Sequence, residues 1–259
     1  MGRHGIFNCP RHLQGSINGC HGDRSSTLWQ ASLPLWPMQP DIASVSTDRP
    51  DQQKEITDMH NEIRSTVEPS ASNMLKMKWD PIAADNAKLW AQECTFGHSP
   101  PEKKHANGIL CGENIFMSAA LSSWPKAIEA WHSEEKDFKY GTGSATGAET
   151  GHYTQVVWYK SYMVACAMAK CSHHLYEYFY VCHYCPAGNV MGENLYKPYK
   201  EGDPCGDCPN ACDDGLCTNP CRREDQYSNC AKLKNKFTCG HPIVESYCPG
   251  SCQCTTEIQ

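Results

Sequence analysis

Residues 205–254 carry the sequence CGDCPNACDDGLCTNPCRREDQYSNCAKLKNKFTCGHPIVESYCPGSCQC, and ten of these fifty residues are cysteine. This density is well above the roughly 8–10% that already marks a disulfide scaffold in a short secreted segment. A segment this small cannot bury enough apolar surface to fold by itself, so covalent cross-links must replace part of the core. The stretch therefore predicts a disulfide-rich module that folds in an oxidising, extracellular environment.

The other cysteines are spread unevenly over the 259-residue chain, and the total of eighteen is the even number that complete pairing requires. Two Cys-x-x-Cys pairs, Cys182/Cys185 and Cys205/Cys208, are also compatible with a zinc ribbon. Zinc at those four residues would leave fourteen cysteines unexplained. Dense cysteine in a loop-rich segment usually indicates disulfides, so disulfides are favoured, although the spacing leaves both interpretations open.

Residues 1–48 are rich in Gly, Ser, Pro and Trp and lack periodicity, which predicts a disordered or atypical N-terminus. A secretory signal contains an apolar run of about 7–15 residues, and the best candidate, residues 28–38, is interrupted by polar residues and prolines. We interpret residues 1–45 as an alternative start that replaces a signal peptide. No segment is long and apolar enough to predict a membrane span.

The formal net charge is −6, and the sequence contains no basic block. Nucleic-acid binding depends largely on neutralising phosphates with Lys and Arg, and binding to anionic membrane surfaces depends on similar basic clusters. The charge therefore argues against both kinds of partner.

Helical spacing of apolar residues predicts three helices, over residues 51–67, 81–93 and 124–137. Asp80 and Ser123 are the expected N-caps of the second and third. Two apolar runs, 162–169 and 176–182, flank a polar turn and predict a β-hairpin. Helices followed by paired strands indicate an α+β fold.

Several short stretches are specific enough to indicate a family: GHYTQVVW at 151–158, YVCHYCPAGN at 180–189, CGENI at 111–115, HNEIR at 60–64 and SNMLKM at 72–77. Together they resemble segments of the CAP superfamily, which includes cysteine-rich secretory, antigen-5 and pathogenesis-related proteins. The ten-cysteine tail resembles the hinge and cysteine-rich domain of the cysteine-rich secretory branch. The resemblance covers residues 50–259 and is absent from residues 1–48.

The resemblance implies a three-layer α-β-α CAP sandwich, followed by a small disulfide-rich hinge and a helical toxin-like module. The implied boundaries are 49–190 for the CAP domain, 191–220 for the connector and hinge, and 221–259 for the cysteine-rich, ion channel regulator-like domain. The implied disulfides are Cys94–Cys171, Cys111–Cys185, Cys166–Cys182, Cys205–Cys212, Cys208–Cys217, Cys221–Cys254, Cys230–Cys248 and Cys239–Cys252. Cys9 and Cys20 have no counterpart in the family, and whether they pair is open.

The resemblance also places two histidines and two glutamates in a cleft: His98, Glu113, Glu134 and His152. Neutral imidazoles bind Zn²⁺ and carboxylates can support them, so zinc held by His98 and His152 is one expectation. A zinc-dependent hydrolase is a weaker one, because no nucleophile is recognisable. The competing interpretation is a hydrogen-bonded polar cluster that organises the cleft. Further along, His173, His174 and His183 are compatible with metal binding, but they are expected to decorate the hairpin.

The last six-cysteine module resembles potassium-channel toxins of sea anemones, which place a lysine beside an aromatic residue. The candidate channel-binding residues are Lys232, Lys234, Lys236, Phe237 and Tyr247. The competing interpretation is a solvated lysine loop. Residues 205–259 contain five Lys or Arg against seven Asp or Glu, a net charge of −2, which favours contact at the outer mouth of a channel over insertion into its pore.

The sequence therefore predicts a secreted, non-enzymatic binding protein whose partner is an ion channel or another cell-surface protein. The resemblance is to the mammalian reproductive-tract type, which implies sperm binding and gamete interaction in fertilization. A zinc-dependent hydrolase and a lipid or sterol carrier that uses the CAP cleft are the alternatives.

Overall fold

A computed structural model describes residues 41–259, except for 173, 191–194 and 228. The helices are α1 (Pro50–Ser65), α2 (Pro81–Gln92), α3 (Trp124–His132), α4 (Gly151–Val156), α5 (Cys230–Phe237), α6 (Pro242–Tyr247) and α7 (Pro249–Gln253). The strands are β1 (Lys78–Trp79), β2 (His105–Ala106), β3 (Ile109–Leu110), β4 (Gly112–Ser118), β5 (Phe138–Lys139), β6 (Gly143–Ser144), β7 (Met163–Lys170), β8 (Tyr178–Cys185), β9 (Cys212–Asp213) and β10 (Leu216–Cys217). Short 3-10 helices span Ile42–Val45, Pro101–Lys103 and Ser133–Asp137. None of the helices in the described ranges has the length and apolarity needed to cross a bilayer.

The first predicted helix is confirmed as α1, which begins at Pro50. Proline is tolerated at the first helical position because the N–H that it lacks would have no acceptor within the helix. Ile56 and Ile63 of its predicted apolar stripe are buried. His60 and Arg64 lie on the same buried face. The core side of α1 therefore carries polar groups that need partners inside the protein.

The second predicted helix is confirmed as α2, and the side chain of Asp80 accepts a hydrogen bond from the Ala83 N–H at 2.8 Å, as an N-cap should. The third is shorter than predicted, because α3 ends at His132 and residues 133–137 continue as a 3-10 turn. Ser123 makes no side-chain cap bond, which corrects the expectation for this residue. Pro125 occupies the second helical position and has no N–H, which removes one of the two donors that an N-cap side chain normally uses.

The central sheet has the strand order β1-β7-β8-β4. The predicted hairpin is confirmed as β7 and β8, which pair antiparallel with Cys166 opposite Cys182. Strand β4 pairs antiparallel with β8 alone and so lies at the edge of the sheet.

Helices cover both faces of this sheet. On one face, Ala87, Trp90 and Ala91 of α2 pack against Phe179 and Val181 of β8. On the other face, residues of α1, α3 and α4 form a larger apolar cluster with the sheet, which includes Ile56, Ile128, Val156, Val164 and Tyr180. The fold is therefore the α+β three-layer sandwich that the sequence predicts, followed by a disulfide-rich helical module.

Sixteen cysteines of the described residues form eight disulfides. The pairs are Cys94–Cys171, Cys111–Cys185, Cys166–Cys182, Cys205–Cys212, Cys208–Cys217, Cys221–Cys254, Cys230–Cys248 and Cys239–Cys252, the same pairs that the family resemblance implies. Each cysteine of the two Cys-x-x-Cys pairs is bonded to a cysteine outside its own pair. The geometry therefore offers no zinc ribbon at these residues.

The C-terminal module has a very small core, in which Cys230, Val244 and Cys248 are buried beneath α5, α6 and α7. Such a core supplies little apolar burial, so its disulfides have to carry much of the stabilisation.

The segment around Cys217 is joined to the sandwich by main-chain hydrogen bonds. The Cys217 N–H donates to the Met74 carbonyl at 2.7 Å, and the Lys76 N–H donates to the Cys217 carbonyl at 2.8 Å. Ile258 is buried in an apolar cluster that includes Leu75 and Met163 of the sandwich. The hinge and the last residues of the chain are therefore built into the same packed unit as the sandwich.

Residues 41–48 correct part of the expectation of a disordered N-terminus. Residues 42–45 form a 3-10 turn, Val45 is buried, and the Trp124 indole N–H donates to the Val45 carbonyl at 2.9 Å. One apolar side chain and one buried donor are enough to hold this turn against the core. Residues 1–40, with Cys9 and Cys20, lie outside the described part of the chain.

Candidate functional site

The four cleft residues expected from the sequence form two separate His–Glu pairs. His98 Nδ1 lies 2.8 Å from Glu113 Oε1, and His152 Nδ1 lies 2.6 Å from Glu134 Oε1. Glu113 is on β4, His152 is on α4, and Glu134 is in the 3-10 turn after α3. Elements far apart in sequence thus bring these side chains to one region of the surface.

Glu113 accepts a hydrogen bond at every position its carboxylate offers. Oε1 accepts from His98 Nδ1 and from the Ser99 N–H, both at 2.8 Å, and Oε2 accepts from Ser99 Oγ at 2.6 Å and from His183 Nε2 at 2.9 Å. Burial alone would raise the pKa of the Glu113 carboxyl, but the hydrogen bonds from His183, His98 and Ser99 outweigh it and hold that pKa well below its usual range. Glu113 is therefore an ionised anchor for its neighbours.

His183 corrects the expectation of a surface histidine, because it is fully buried. It stands opposite Glu113 in the β4–β8 register, so the sheet itself delivers its Nε2 atom to the carboxylate. His183 and Ser99 are the site residues that sequence reasoning missed. The available signal was register: once 111–115 and 180–189 are paired as strands, His183 falls beside Glu113. His174 lies on the hairpin as expected, and His173 lies outside the described residues.

Glu134 has a second role besides its contact with His152. Its Oε2 atom accepts from the main-chain N–H groups of His152 and Tyr153, at 2.9 and 3.1 Å. These N–H groups belong to the first turn of α4 and have no acceptor inside the helix. Glu134 thus caps α4 and orients the imidazole at the same time.

A buried chain of hydrogen bonds fixes the main chain at His152. His60 Nδ1 donates to the Ile56 carbonyl at 2.7 Å, so its Nε2 atom accepts from the Tyr184 hydroxyl at 2.9 Å. The Asn114 amide lies 3.4 Å from that hydroxyl and donates to the His152 carbonyl at 3.0 Å. Burial lowers the pKa of His60 to about 4, which keeps this histidine neutral.

Two adjoining cavities open at the His–Glu pairs and share His98, Glu149 and His152. The first has a volume of about 370 Å³, and its other lining residues are polar or small: Glu113, Asn114, Thr150, Gly151 and Asn189. The second, of about 500 Å³, is more apolar and is lined by Ile115, Phe116, Met117, Ala130, Trp131, Glu134 and Tyr176. They form one cleft with a polar end and an apolar end.

The residues present fit a metal only through two imidazoles. In each pair the carboxylate holds Nδ1, which leaves the Nε2 lone pair of His98 and His152 as the donor available to a metal. Glu113 has no free lone pair, and within the described residues no three His, Cys, Asp or Glu side chains converge as a metal site. Structural zinc sites use four protein ligands and catalytic ones three, so water or another molecule would have to complete the coordination.

The same geometry is poor for covalent catalysis. Ser99 Oγ donates to a carboxylate that is already ionised, and no histidine of the described residues is hydrogen-bonded to this hydroxyl. Trp90, Trp124, Trp131 and Trp158 are buried and belong to the core. The cleft has the space and the polar groups to bind a ligand, but it presents no activated nucleophile among the described residues.

In the C-terminal module, the structure brings together some of the candidate channel-binding residues and separates others. Lys236 Nζ lies 5.0 Å from the centroid of the Phe237 ring, and Lys232 is exposed on the same helix, α5. Lys234 instead donates to the Ser251 carbonyl and so serves the fold. Tyr247 lies on α6 and stacks edge-on against Tyr227, with ring centroids 5.6 Å apart.

Two family models match the chain. The model described as CAP, cysteine-rich secretory protein family, matches residues 57–184, and the model described as Crisp matches residues 205–259. Residues 185–204 lie between the two matches.

Solved structures give the same result. The crystal structure of NaASP2 with Zn²⁺ is 32% identical with a TM-score of 0.55, and the match covers 70% of this chain and 100% of that one. BmVAL-1 is 29% identical with a TM-score of 0.56, covering 66% of this chain and 95% of that one. The Hookworm Platelet Inhibitor, at 24% identity and a TM-score of 0.52, covers 68% of this chain and 94% of that one and is a likeness of fold alone.

Proposed function

Because the chain belongs to the cysteine-rich secretory protein family, we propose that it is a secreted binding protein that acts on an ion channel or another cell-surface protein through residues 221–259. Secretion agrees with the eight disulfides, since such bonds persist in oxidising compartments. The sperm surface, and with it gamete interaction, is the setting that the sequence resemblance suggests for this partner.

The observation that carries the proposal is a cluster of exposed side chains on disulfide-locked helices. Phe237 on α5 is 43% exposed beside Lys236, and Ile243 on α6 is 56% exposed. Three disulfides hold these helices and the loops around them. A preordered scaffold loses little conformational entropy on binding, and exposed aromatic anchors often supply most of the binding energy.

Charge supports contact at the outer mouth of a channel. The net charge of residues 205–259 is −2, with five Lys or Arg against seven Asp or Glu. Lys234 is also committed to the Ser251 carbonyl, which leaves few free ammonium groups to plug a cation pore. The module is better suited to an aromatic and cationic contact with a folded extracellular surface.

Patch-clamp recording from a panel of Ca²⁺ and K⁺ channels tests this proposal. We expect the full-length protein to change the current of at least one channel, and Lys236→Ala/Phe237→Ala to reduce its potency by about 10-fold or more. The full chain is used because Cys217 and Ile258 connect the tail to the CAP domain.

The matched control is Leu89→Ala/Lys126→Ala, which removes one exposed apolar and one exposed cationic side chain from the CAP domain. This control should keep full potency. An absence of effect on every channel, with the disulfides verified by mass spectrometry, would contradict the proposal, as would equal losses in the two double variants.

Zinc binding in the cleft is a second candidate, supported by the two carboxylate-oriented imidazoles. His98 and His152 would hold the ion through Nε2, and the ion would supply Lewis acidity to a bound molecule. One similar structure, that of NaASP2, contains Zn²⁺. In calorimetric titration we expect His98→Ala/His152→Ala to lose binding, and His132→Ala, which removes another carboxylate-paired histidine, to keep it. Equal zinc affinities of the wild type and the double variant would contradict zinc binding by His98 and His152.

A further inference from the structure

The polar and apolar ends of the cleft share one floor, the edge strand β4. Glu113 and Asn114 line the first cavity, and Ile115, Phe116 and Met117 line the second. At ~3.4 Å per residue these five residues span roughly 14 Å. The cleft therefore runs along a strand that has a partner on one side only.

The register shows which main-chain groups of β4 face the cleft. Cys166 and Cys182 are directly opposite each other with Cα atoms 4.0 Å apart, the close spacing of a pair that is not hydrogen-bonded across β7 and β8. The main chain of Cys182 therefore points towards β4, where its partner is Asn114. It follows that Asn114 and Phe116 bond to β8, whereas Glu113, Ile115 and Met117 direct their N–H and C=O groups outwards.

Two contacts agree with this assignment. The Trp131 indole N–H donates to the Ile115 carbonyl at 3.0 Å, from the side away from β8. Cys111, two residues before Glu113 and of the same parity, donates its N–H to the Lys104 carbonyl at 2.8 Å, also outside the β4–β8 pair. The main-chain N–H and C=O groups of the odd-numbered residues of β4 thus point away from β8.

The outward groups are not satisfied by the protein along most of this edge. Among the hydrogen bonds of the described residues, none joins the N–H of Ile115, or the N–H or C=O of Met117, to a group outside the β4–β8 pair. The sequence of β4, GENIFMS, contains none of the Lys or Pro residues that commonly protect edge strands. The Trp131 indole covers the Ile115 carbonyl, and the N–H of Ile115 and both main-chain groups of Met117 have no partner among the described residues.

The lining favours a peptide over a lipid. An acyl chain or sterol in the apolar end would cover the N–H groups of Ile115 and Met117 without accepting from them, and an unmade buried hydrogen bond is costly. An added strand satisfies these groups while its side chains contact Ala130, Trp131 and Tyr176.

The charge of the cleft selects the side chains of such a peptide. Glu149 lines both cavities, and neither cavity has a Lys or Arg in its lining. Glu149 is exposed and has no ion-pair partner among the described residues. The cleft is therefore complementary to a basic side chain.

We propose that the cleft binds an extended peptide segment of a partner protein, with apolar side chains and a Lys or Arg, as an additional strand along the open edge of β4. This site is separate from the C-terminal module, so it does not depend on the channel proposal. It also requires no metal, so it is tested in the presence of a chelator.

The probe is a set of acetylated, amidated and fluorescently labelled hexapeptide pools, each with one residue fixed, titrated against the full-length protein by fluorescence polarisation. We expect the pools that fix Lys, Arg or an apolar residue to bind with a Kd below about 1 mM, which is the weak end of measurable affinity. Main-chain N-methylation of the best peptide should weaken binding by ~3–10-fold at alternate positions and have no effect at the positions between them. Glu149→Gln should reduce the preference for Lys and Arg.

Hydrogen exchange of the unmodified protein gives a second readout. On addition of the best peptide, the amides of Ile115 and Met117 should exchange more slowly, whereas that of Phe116, already bonded to β8, should not change. Met117→Pro removes only an outward N–H, a position where an edge strand tolerates proline, and should weaken binding by a similar ~3–10-fold.

Three results would overturn the proposal. The first is the absence of binding by every pool up to about 1 mM. The second is binding that is equally sensitive to N-methylation at all positions, or to none. The third is binding of oleate or cholesterol vesicles, but of no peptide, to the cleft, which would assign the cleft to a lipid.

Discussion

At the scale of single residues, the cleft depends on two buried groups with opposite demands. Glu113 must be ionised to accept its four hydrogen bonds. His60 must be neutral, because its Nε2 atom accepts from the Tyr184 hydroxyl while its Nδ1 atom donates to the Ile56 carbonyl of α1. Protonation of either group breaks contacts that hold the cleft. The protein should therefore lose stability as the pH falls.

His60 gives the clearer prediction of pH dependence. Its pKa is lowered by burial to about 4 from an ordinary value near 6.5. Between these values the unfolded state binds the extra proton, so the stabilisation is complete above about pH 6.5 and is lost as the pH falls towards 4, by on the order of 3 kcal/mol. Urea unfolding of the wild type between pH 7 and 4 should show this loss. In His60→Gln, whose side chain cannot be protonated, the free energy of unfolding should fall less steeply with decreasing pH. Identical slopes for the two proteins would contradict the role of His60.

The composition of the site illustrates what single residues in a sequence can reveal. Only the family resemblance groups His98, Glu113, Glu134 and His152, because their separation in the chain gives no local signal. In the sequence, His183 is one of three histidines in or near the predicted hairpin, and only the strand register shows that it stands opposite Glu113. A buried polar partner is difficult to predict because its burial depends on elements distant in sequence.

At the scale of secondary-structure elements, α1, α2, the start of α3 and the β7–β8 hairpin could be predicted, because each has a clear apolar period or a cap. The elements that line the cleft could not. Helix α4 has six residues and depends on Glu134 for its cap, and the alternation expected of a strand is absent from β4, which is half-buried along most of its length. Tertiary contacts rather than local propensity determine these elements.

Arg64 shows how α1 is attached to its neighbours. Its guanidinium is buried and donates five hydrogen bonds to the carbonyls of Leu75, Val156, Trp158 and Tyr159. We expect Arg64→Met to lower the free energy of unfolding by ~3–5 kcal/mol, since buried carbonyls lose their donors. Arg49→Met, which removes an exposed pair with Asp51, should cost at most ~1 kcal/mol. Chemical denaturation measures both, and similar losses in the two variants would contradict this role.

At the scale of the whole molecule, the tail is an integral part of the packed unit. Leu75 of the CAP domain forms a β-bridge with Cys217 of the hinge. Lys160 Nζ of the CAP domain lies 3.2 Å from Glu224 Oε2 of the C-terminal module. This arrangement fixes the exposed surface of α5 and α6 relative to the cleft. A partner that contacts both surfaces would therefore meet them in a defined geometry.

Ile258 tests whether the tail is integral in this sense. Its side chain is buried against the CAP domain, so Ile258→Ala should destabilise the full-length protein by ~2–5 kcal/mol in one cooperative transition. Ile243→Ala removes the same atoms from an exposed site and should change stability by at most ~0.5 kcal/mol. Two separate transitions in the wild type, with only the smaller one affected by Ile258→Ala, would show that the tail folds independently.

The most direct test of the account is disulfide mapping by mass spectrometry of protein purified from its natural source, after alkylation of free thiols without reduction. The account predicts the eight pairs given above, with the sixteen cysteines of residues 94–254 protected from the alkylating reagent. Alkylation of most of these cysteines, or their recovery as ligands of a metal ion, would contradict both the extracellular location and the rigid binding surface that depends on it.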